Sequence, residues 1–477
     1  MMKRIIIVFI SVIGLSSCSK NIDSLNENVK DPAVVPAGSL FANSQKEMVD
    51  IMTDANVNRN IFRLIAQHWT QTTYVDESNY DLNTRNVPQN FWAILYRDVL
   101  NNLQKSSEIV PTQDSKYVSD AQKKNQMAQI RVMKVYAYSV LVETFGDVPY
   151  SQALQVEKYP NPAYDDAKTI TNALIDELTA ASGMFDATTS GFGTSDLLLG
   201  DDIGKWIKFA NSLKLKLGML IADSDPAKAK LTVESAAANV LSSNDDNIIF
   251  HYLAAPPNTN PIWVDLVQSG RQDFVAANTL VDTLKSLTDP RLGLYFSKDA
   301  AGAYSGGIYG SNNNYATYSK PAAKVIAPDF EATVLDYAEV EFLLAEAIER
   351  GFNVSGSAAT HYNNAVTASI KYWGGSDAAA AAYLSNTSIA YSSSFTWKEK
   401  IGFQKWVALY NRGFDAWTEW RRLDNPVLNA PVDALSDIPV RYTYPVNEQT
   451  LNAASYKSAA TAIGGDKVET KLWFDKY

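Results

Sequence analysis

VLDYAEVEFLLAEAIERGFNVSGSAATHYNNAVTASIKYW, residues 334–373, is the stretch whose reading decides the fold. Apolar residues recur at helical spacing twice within it: Val334, Tyr337, Val340, Leu344 and Ala347, then Ala359, Tyr362, Ala365, Val366, Ile370 and Trp373. Steps of three and four place each set along one face of a helix. Gly351 stands between the two sets, where a residue free to take positive φ ends the first helix. The unit therefore reads as a helical hairpin of roughly 35–40 residues. Glu339, Glu346 and Glu349 lie on the same hairpin and read as a solvated face rather than an acid/base pair.

Working outward, the same periodicity recurs in Phe62-Ile65-Ala66-Trp69, in Phe91-Ile94-Leu95-Val99-Leu103 and most strongly in Met127-Ile130-Met133-Ala137-Val140-Leu141. Further helices are expected at 166–184, 201–222, 226–243, 275–287, 332–350, 357–373 and 397–423. Strand-like alternation is scarce. The fold class expected is mainly α, with long irregular excursions. The 334–373 hairpin is of tetratricopeptide type if it has stacked neighbours, and a plain antiparallel pair if it does not.

The N-terminus bears on where the chain works. Lys3-Arg4 precede an apolar run from Ile5 to Leu15, and Leu15-Ser16-Ser17-Cys18 follows. The run is about half of the ~20 residues that a membrane-crossing helix needs, so it reads as an export signal. Leu15 to Cys18 resembles the lipobox of bacterial lipoproteins, which implies lipidation of Cys18 and cleavage just before it. The alternative is an ordinary cleaved signal with an incidental cysteine. Residues 1–17 are accordingly expected to be a lipoprotein signal peptide, 18–36 a lipidated tether and 37–477 a single α-helical domain. Acyl chains, at ~0.8 kcal/mol per buried methylene, hold a protein to a membrane without a spanning helix.

Composition narrows the chemistry. Cys18 is the only cysteine in 477 residues, which leaves no internal disulfide and no Cys-x-x-Cys site. With 46% apolar and 20% charged residues the chain can build a large core. The net charge of −10 becomes −12 once Lys3 and Arg4 are removed with residues 1–17, and so acidic a surface disfavours nucleic acid.

Three segments between the helices are rich in rings and amides. Residues 70–92 hold Tyr74, Tyr80, Asn83, Arg85 and Trp92; residues 256–275 hold Asn258, Trp263, Arg271 and Gln272; residues 302–318 interleave Tyr304, Tyr309, Tyr315 and Tyr318 with Gly306, Gly307, Gly310 and Asn312 to Asn314. Sugars suit such loops, because their C–H faces stack on rings while amides and guanidiniums pair with hydroxyls. Half-covering one ring hides on the order of 80 Å² and contributes roughly 2 kcal/mol. The candidate platforms are Tyr74, Tyr80, Trp92, Trp263, Tyr309 and Tyr315, with Asn83 and Arg271 as hydroxyl partners. The competing reading is that these rings pack the loops onto the body.

Catalytic patterns are missing. The sequence has no Gly-x-Ser-x-Gly elbow, no His-Glu-x-x-His and no phosphate-binding Gly-x-x-x-x-Gly-Lys, and Gly191-Phe192-Gly193 lacks the third glycine of a dinucleotide loop. His68, His251 and His361 are widely spaced, and Asp201-Asp202 and Asp245-Asp246 do not match a calcium loop. A glycosidase needs only two carboxylates brought together in space, which a sequence does not reveal.

Several stretches together resemble the SusD/RagB family of nutrient-binding outer-membrane lipoproteins, and its second SusD-like group in particular. They are Cys18 followed by Leu25-Asn26-Glu27-Asn28; Glu143-Thr144-Phe145-Gly146-Asp147-Val148-Pro149-Tyr150; Asp289-Pro290-Arg291-Leu292; Trp417-Thr418-Glu419-Trp420-Arg421-Arg422; and Ile438-Pro439-Val440-Arg441-Tyr442-Thr443-Tyr444-Pro445. These motifs read as scaffold, not chemistry. The resemblance implies a SusD-like fold of tetratricopeptide-type hairpins with ligand-binding loops. It also implies surface exposure on the outer membrane, glycan capture without catalysis, and a TonB-dependent, SusC-like β-barrel transporter as partner. No cofactor is implied, and calcium supporting a loop is left open. Peptide or other nutrient capture, a structural lid without a ligand, and a glycan-degrading enzyme are the alternatives.

Overall fold

The computed structural model describes residues 35–477. The signal, Cys18 and nearly all of the tether lie outside the described residues. The principal helices are α1 (Ala37–Thr53), α2 (Asp120–Phe145), α3 (Ala167–Ser182), α4 (Ile203–Leu220), α5 (Pro226–Ala236), α6 (Asn278–Ser286), α7 (Tyr337–Glu349), α8 (Ala358–Tyr372), α9 (Trp397–Ala408) and α10 (Gly413–Leu423). Short strands β1 (Trp69–Gln71), β2 (Val148–Pro149), β3 (Tyr164–Asp165), β4 (Ile248–Phe250), β5 (Phe274–Ala276) and β6 (Ala332–Leu335) form two-stranded antiparallel ladders, β1 with β5, β2 with β3 and β4 with β6.

Local chemistry explains where most helices begin. Ser119, Asp166, Asp202, Asp225, Asp336 and Ser357 each accept a hydrogen bond from a backbone N–H of the first turn they precede, and Thr396 with Glu399 forms a full capping box. Each such cap is typically worth ~1 kcal/mol. The helices pack in sequence-adjacent pairs: α2 on α3, α4 on α5, α7 on α8 and α9 on α10, with α3 on α4, α4 on α7 and α7 on α9 joining the pairs. The 334–373 hairpin thus has the stacked neighbours that a tetratricopeptide-type unit requires.

Two expected helices are divided. Residues 332–335 pair as β6 with Ile248–Phe250, and the helix starts only after the Asp336 cap. The 397–423 segment breaks at Leu409–Arg412, where Asn411 takes φ 68° and accepts from the Arg63 guanidinium at 2.9 Å. A Cβ on Gly413 would lie 2.4 Å from the backbone nitrogen of Arg63, so only glycine lets the Phe62–Arg63 segment enter the break.

Glu339 and Glu346 are not on a solvated face; both are buried in ion pairs. Glu339 meets Lys216 and Arg412, and Glu346 meets Arg422 and Arg350. Arg350 lies on the hairpin itself; the other cations come from α4 and from the 409–422 region, distant in sequence from it.

Three of the motifs, 143–150, 417–422 and 438–445, form one hub around the C-terminal end of α2. The orphan carbonyls of Glu143, Thr144 and Phe145 accept from Arg421 Nη1 at 2.6 Å, from the Tyr442 N–H at 2.9 Å and from Arg441 Nη2 at 2.9 Å. Tyr444 donates to the Asp147 carbonyl at 2.9 Å, and Trp417 Nε1 to that of Pro439 at 2.6 Å. Buried Arg291 holds Asp289 through two hydrogen bonds at 2.9 and 2.6 Å.

Candidate functional site

The three ring-rich segments meet at the β1/β5 ladder. Beyond its last pair, Gln71 with Phe274, Thr72 continues the contact by donating its N–H to Asp273 and its hydroxyl to the Gln272 carbonyl at 2.6 Å. The third segment docks on the same ladder: Gly307 N–H donates to the Ala276 carbonyl at 2.8 Å, Gly310 N–H to Thr70 Oγ1 at 3.2 Å, and Asn313 Nδ2 to the Gln71 carbonyl at 2.9 Å. The glycines permit this close approach rather than loop mobility. A Cβ on Gly306 would stand 2.3 Å from the Asn278 Cα, and one on Gly310, at φ +77°, 2.3 Å from Pro431.

Burial separates the candidates. Tyr80, Trp92 and Tyr309 are 3%, 7% and 7% exposed and present no ring to solvent, which corrects their reading as platforms. Tyr309 sends its hydroxyl inward to the Leu64 carbonyl at 2.7 Å and lies against Tyr80, while Trp92 packs edge-on to Phe145 and stacks with Tyr164. Desolvation raises the Tyr80 and Tyr309 phenols above the ordinary tyrosine range.

The remaining candidates reach the surface. Tyr74 is 70% exposed and takes φ 55°, and Arg271 is exposed and pairs with Asp273. Both leave the same open end of the ladder, and the Asp273 carboxylate is the main group favouring the charged guanidinium of Arg271. Tyr315 is half-buried two residues beyond Asn313, with the Lys320 ammonium 4.7 Å over its ring. Trp263 is half-buried where a short helical turn leads toward Arg271. Asn83 is exposed in an Asx turn closed by Asp81, next to Arg85, which binds the buried Glu77. Tyr74 and Arg271 therefore flank one ladder end; Tyr315 follows Asn313, which docks on Gln71 and Thr72, and Asn83 sits on the adjoining turn.

The sequence reading missed a strap over residues 425–437. Asn429 accepts from Gln67 Nε2 at 2.8 Å, Leu435 N–H donates to the Asn79 carbonyl at 3.0 Å, and Pro431 covers Gly310. Val427, Val432 and Leu435 are largely exposed along it. Its signal in the sequence is the run Asn425-Pro426-Val427 to Ala430-Pro431-Val432, where prolines alternate with apolar residues that no helix could bury. A cleft of about 430 Å³ opens where Asp265 faces α1. That volume is in the range of small-ligand sites, 300–1,000 Å³.

A family model described as starch-binding and associating with the outer membrane matches residues 29–445. The chain belongs to the SusD-like family. The family is one of glycan-binding proteins associated with the outer membrane. Solved structures agree in fold with this SusD-like protein. A chitin-binding protein superposes with TM-score 0.81 at 26% identity, covering 92% of this chain and 100% of that one. A chitin-binding SusD homologue from Flavobacterium johnsoniae gives 0.78 at 24% identity, with 92% and 97% covered. A SusD homologue from Bacteroides uniformis gives 0.79 at 22%, with 92% and 99% covered. A search among curated protein sequences finds no match. Among the described residues, no helix of the SusD-like protein is long and apolar enough to cross a membrane.

Proposed function

We propose that this SusD-like protein is held on the cell surface by lipid on Cys18, captures an oligosaccharide, and passes it unchanged to a TonB-dependent β-barrel transporter. One observation supports the reading: Tyr74 and Arg271 leave the same end of a braced ladder, a ring-and-guanidinium shelf of the kind that sugars occupy. The ladder and the docked glycine segment hold these groups before ligand arrives, which lowers the ordering cost of binding. The family description and the chitin-binding relative make β-linked N-acetylglucosamine oligomers the first ligands to try.

Asp54 and Asp265 line the neighbouring cleft, near enough for the Asp54 charge to add to burial in raising the Asp265 carboxyl. The test is calorimetric titration of the full chain with an oligosaccharide panel. Micromolar to millimolar binding is expected, weakened roughly 10- to 30-fold by Tyr74→Ala, the loss of about 2 kcal/mol of ring contact. Full affinity in both Tyr74→Ala and Arg271→Ala would move the site elsewhere.

A further inference from the structure

The ring-rich segment that docks on β5 gathers lysines around its tyrosines. Ser319 donates its N–H to the Ser305 carbonyl at 2.8 Å and accepts the Ser305 N–H on Oγ at 3.1 Å, while its own carbonyl takes the Ala276 N–H at 2.8 Å. Ser297 donates its N–H to the Lys320 carbonyl at 2.9 Å. These bonds draw residues 297–298, 304–305 and 319–320 together beside β5. Lys285 Nζ then donates to the Tyr304 carbonyl at 3.0 Å, and the Lys298 ammonium lies 5.9 Å over the Tyr304 ring. Lys320 Nζ donates to the Tyr318 carbonyl at 3.0 Å and lies 4.7 Å over the Tyr315 ring; none of the three lysines has a carboxylate within ion-pair distance among the described residues.

On a chain of net charge −10 this is a local excess of positive charge. Asp299, the one acid between residues 297 and 320, is already engaged: it accepts the Ala301 and Ala303 N–H groups at 2.9 Å each and the Ser305 hydroxyl at 2.7 Å. An ammonium carries three donors, and a backbone carbonyl fills one. Lys285 and Lys320 are therefore held in position with donors left for an anion. The rings are held as well. Tyr304 and Tyr315 are half-buried, and a Cβ on Gly293 would stand 2.6 Å from the Tyr304 hydroxyl, so only glycine lets that ring seat there. Arg271 precedes Ala276 by five residues, at most roughly 17 Å of extended chain, which puts the lysines and the shelf within one short oligosaccharide of each other.

We infer that Lys285, Lys298 and Lys320, with the Tyr304 and Tyr315 rings, form a subsite for the carboxylate or sulfate of an acidic oligosaccharide whose neighbouring units lie on the Tyr74–Arg271 shelf. This rests on the glycan reading above and narrows its substrate class. A sugar acid needs both kinds of surface at once: a ring against its C–H face and an ammonium against its anion. Carboxylate and sulfate share that chemistry. Lysine, a point charge on a flexible stem, receives either.

The test is calorimetric titration of the full chain in low salt with three six-unit oligosaccharides, one neutral and N-acetylated, one of uronic acids and one sulfated, and with hexaglutamate. Roughly tenfold tighter binding of an acidic oligosaccharide over the neutral one is expected; a preference for the uronate alone assigns a carboxylate, and for the sulfated chain alone a sulfate. Lys298→Gln combined with Lys320→Gln, which keeps the stems against the rings, should bring the acidic oligosaccharide down to the affinity of the neutral one. A charge-matched control, Lys105→Gln with Lys230→Gln at lysines paired with Glu108 and Glu234, should keep the preference. Equal affinity for neutral and acidic oligosaccharides, a preference that survives the first double substitution or is lost in the control, or hexaglutamate binding as tightly as the acidic sugar would overturn the inference while leaving glycan capture standing. Failure of every oligosaccharide to bind would overturn both.

Discussion

Arg422→Met is the sharpest test of how this scaffold is held. Arg422 is fully buried and gives four charge-assisted hydrogen bonds, two to Glu346 and two to Glu419, with Nη1 to Glu346 at 2.5 Å and Nη2 to Glu419 at 2.6 Å. Charge-assisted bonds contribute about 1.5–3 kcal/mol each when counted singly, but burying the ions costs much of that sum. The loss is set by what the substitution strands. Methionine restores most of the volume and leaves two buried carboxylates, each with one remaining cation, Arg350 for Glu346 and Lys405 for Glu419. A destabilisation of about 3–4 kcal/mol at pH 8 follows, toward the lower end of the range for broken buried pairs.

The pH dependence carries the reasoning further. In the native protein Arg422 is the main group holding Glu346 below the ordinary carboxylate range against its burial. A carboxyl lowered on folding stabilises above its unfolded pKa, and that contribution is lost as pH falls through its folded pKa. Without Arg422, burial dominates and Glu346 takes up a proton, so the sign reverses and acid relieves the variant. Urea unfolding followed by tryptophan fluorescence at pH 8, 6.5 and 5 should show the deficit shrinking. Adding Glu346→Gln should recover at least about 1 kcal/mol at pH 8 as a coupling term. A deficit under 1 kcal/mol, or one constant across pH, would refute the account.

Two further outcomes follow from single residues. Burial pushes the Glu143 carboxyl up to about 7, and one of its oxygens lacks a partner. A carboxyl raised on folding stabilises below its unfolded pKa, and that contribution is lost as pH rises through about 7, so Glu143→Gln should exceed the native protein by about 2–3 kcal/mol at pH 8 and match it near pH 4.5 in urea unfolding. A gap equal at both ends would contradict this. Gly310→Ala places a Cβ against Pro431 at a positive φ, and should cost about 1–2 kcal/mol and speed proteolytic cutting within 425–437; unchanged digestion would show that the strap is not held there.

The helical scaffold was legible because its signals are local. A stripe such as Val340-Leu344-Ala347, a cap such as Ser357 and a stop such as Gly351 act within one or two turns, so neighbours in sequence are the neighbours that matter. The motifs around Glu143–Tyr150, Trp417–Arg422 and Ile438–Pro445 were readable as scaffold for the same reason, and the structure joins them into one hub. The three ring-rich segments were likewise recognisable as belonging together in composition.

Which rings face outward was decided elsewhere. Tyr74 and Tyr80 both lie in one segment and both take positive φ, yet one is exposed and the other buried, because the Gly306–Gly310 stretch and Tyr309 arrive from more than two hundred residues away to cover Tyr80. The strap depends on contacts between Gln67 and Asn429, and the acidic cleft on Asp265 meeting α1. Glu346 appeared solvated until Arg422 came to meet it from another helix. Periodicity and capping are properties of a chain segment; burial and charge pairing belong to surfaces that exist only once distant segments have packed.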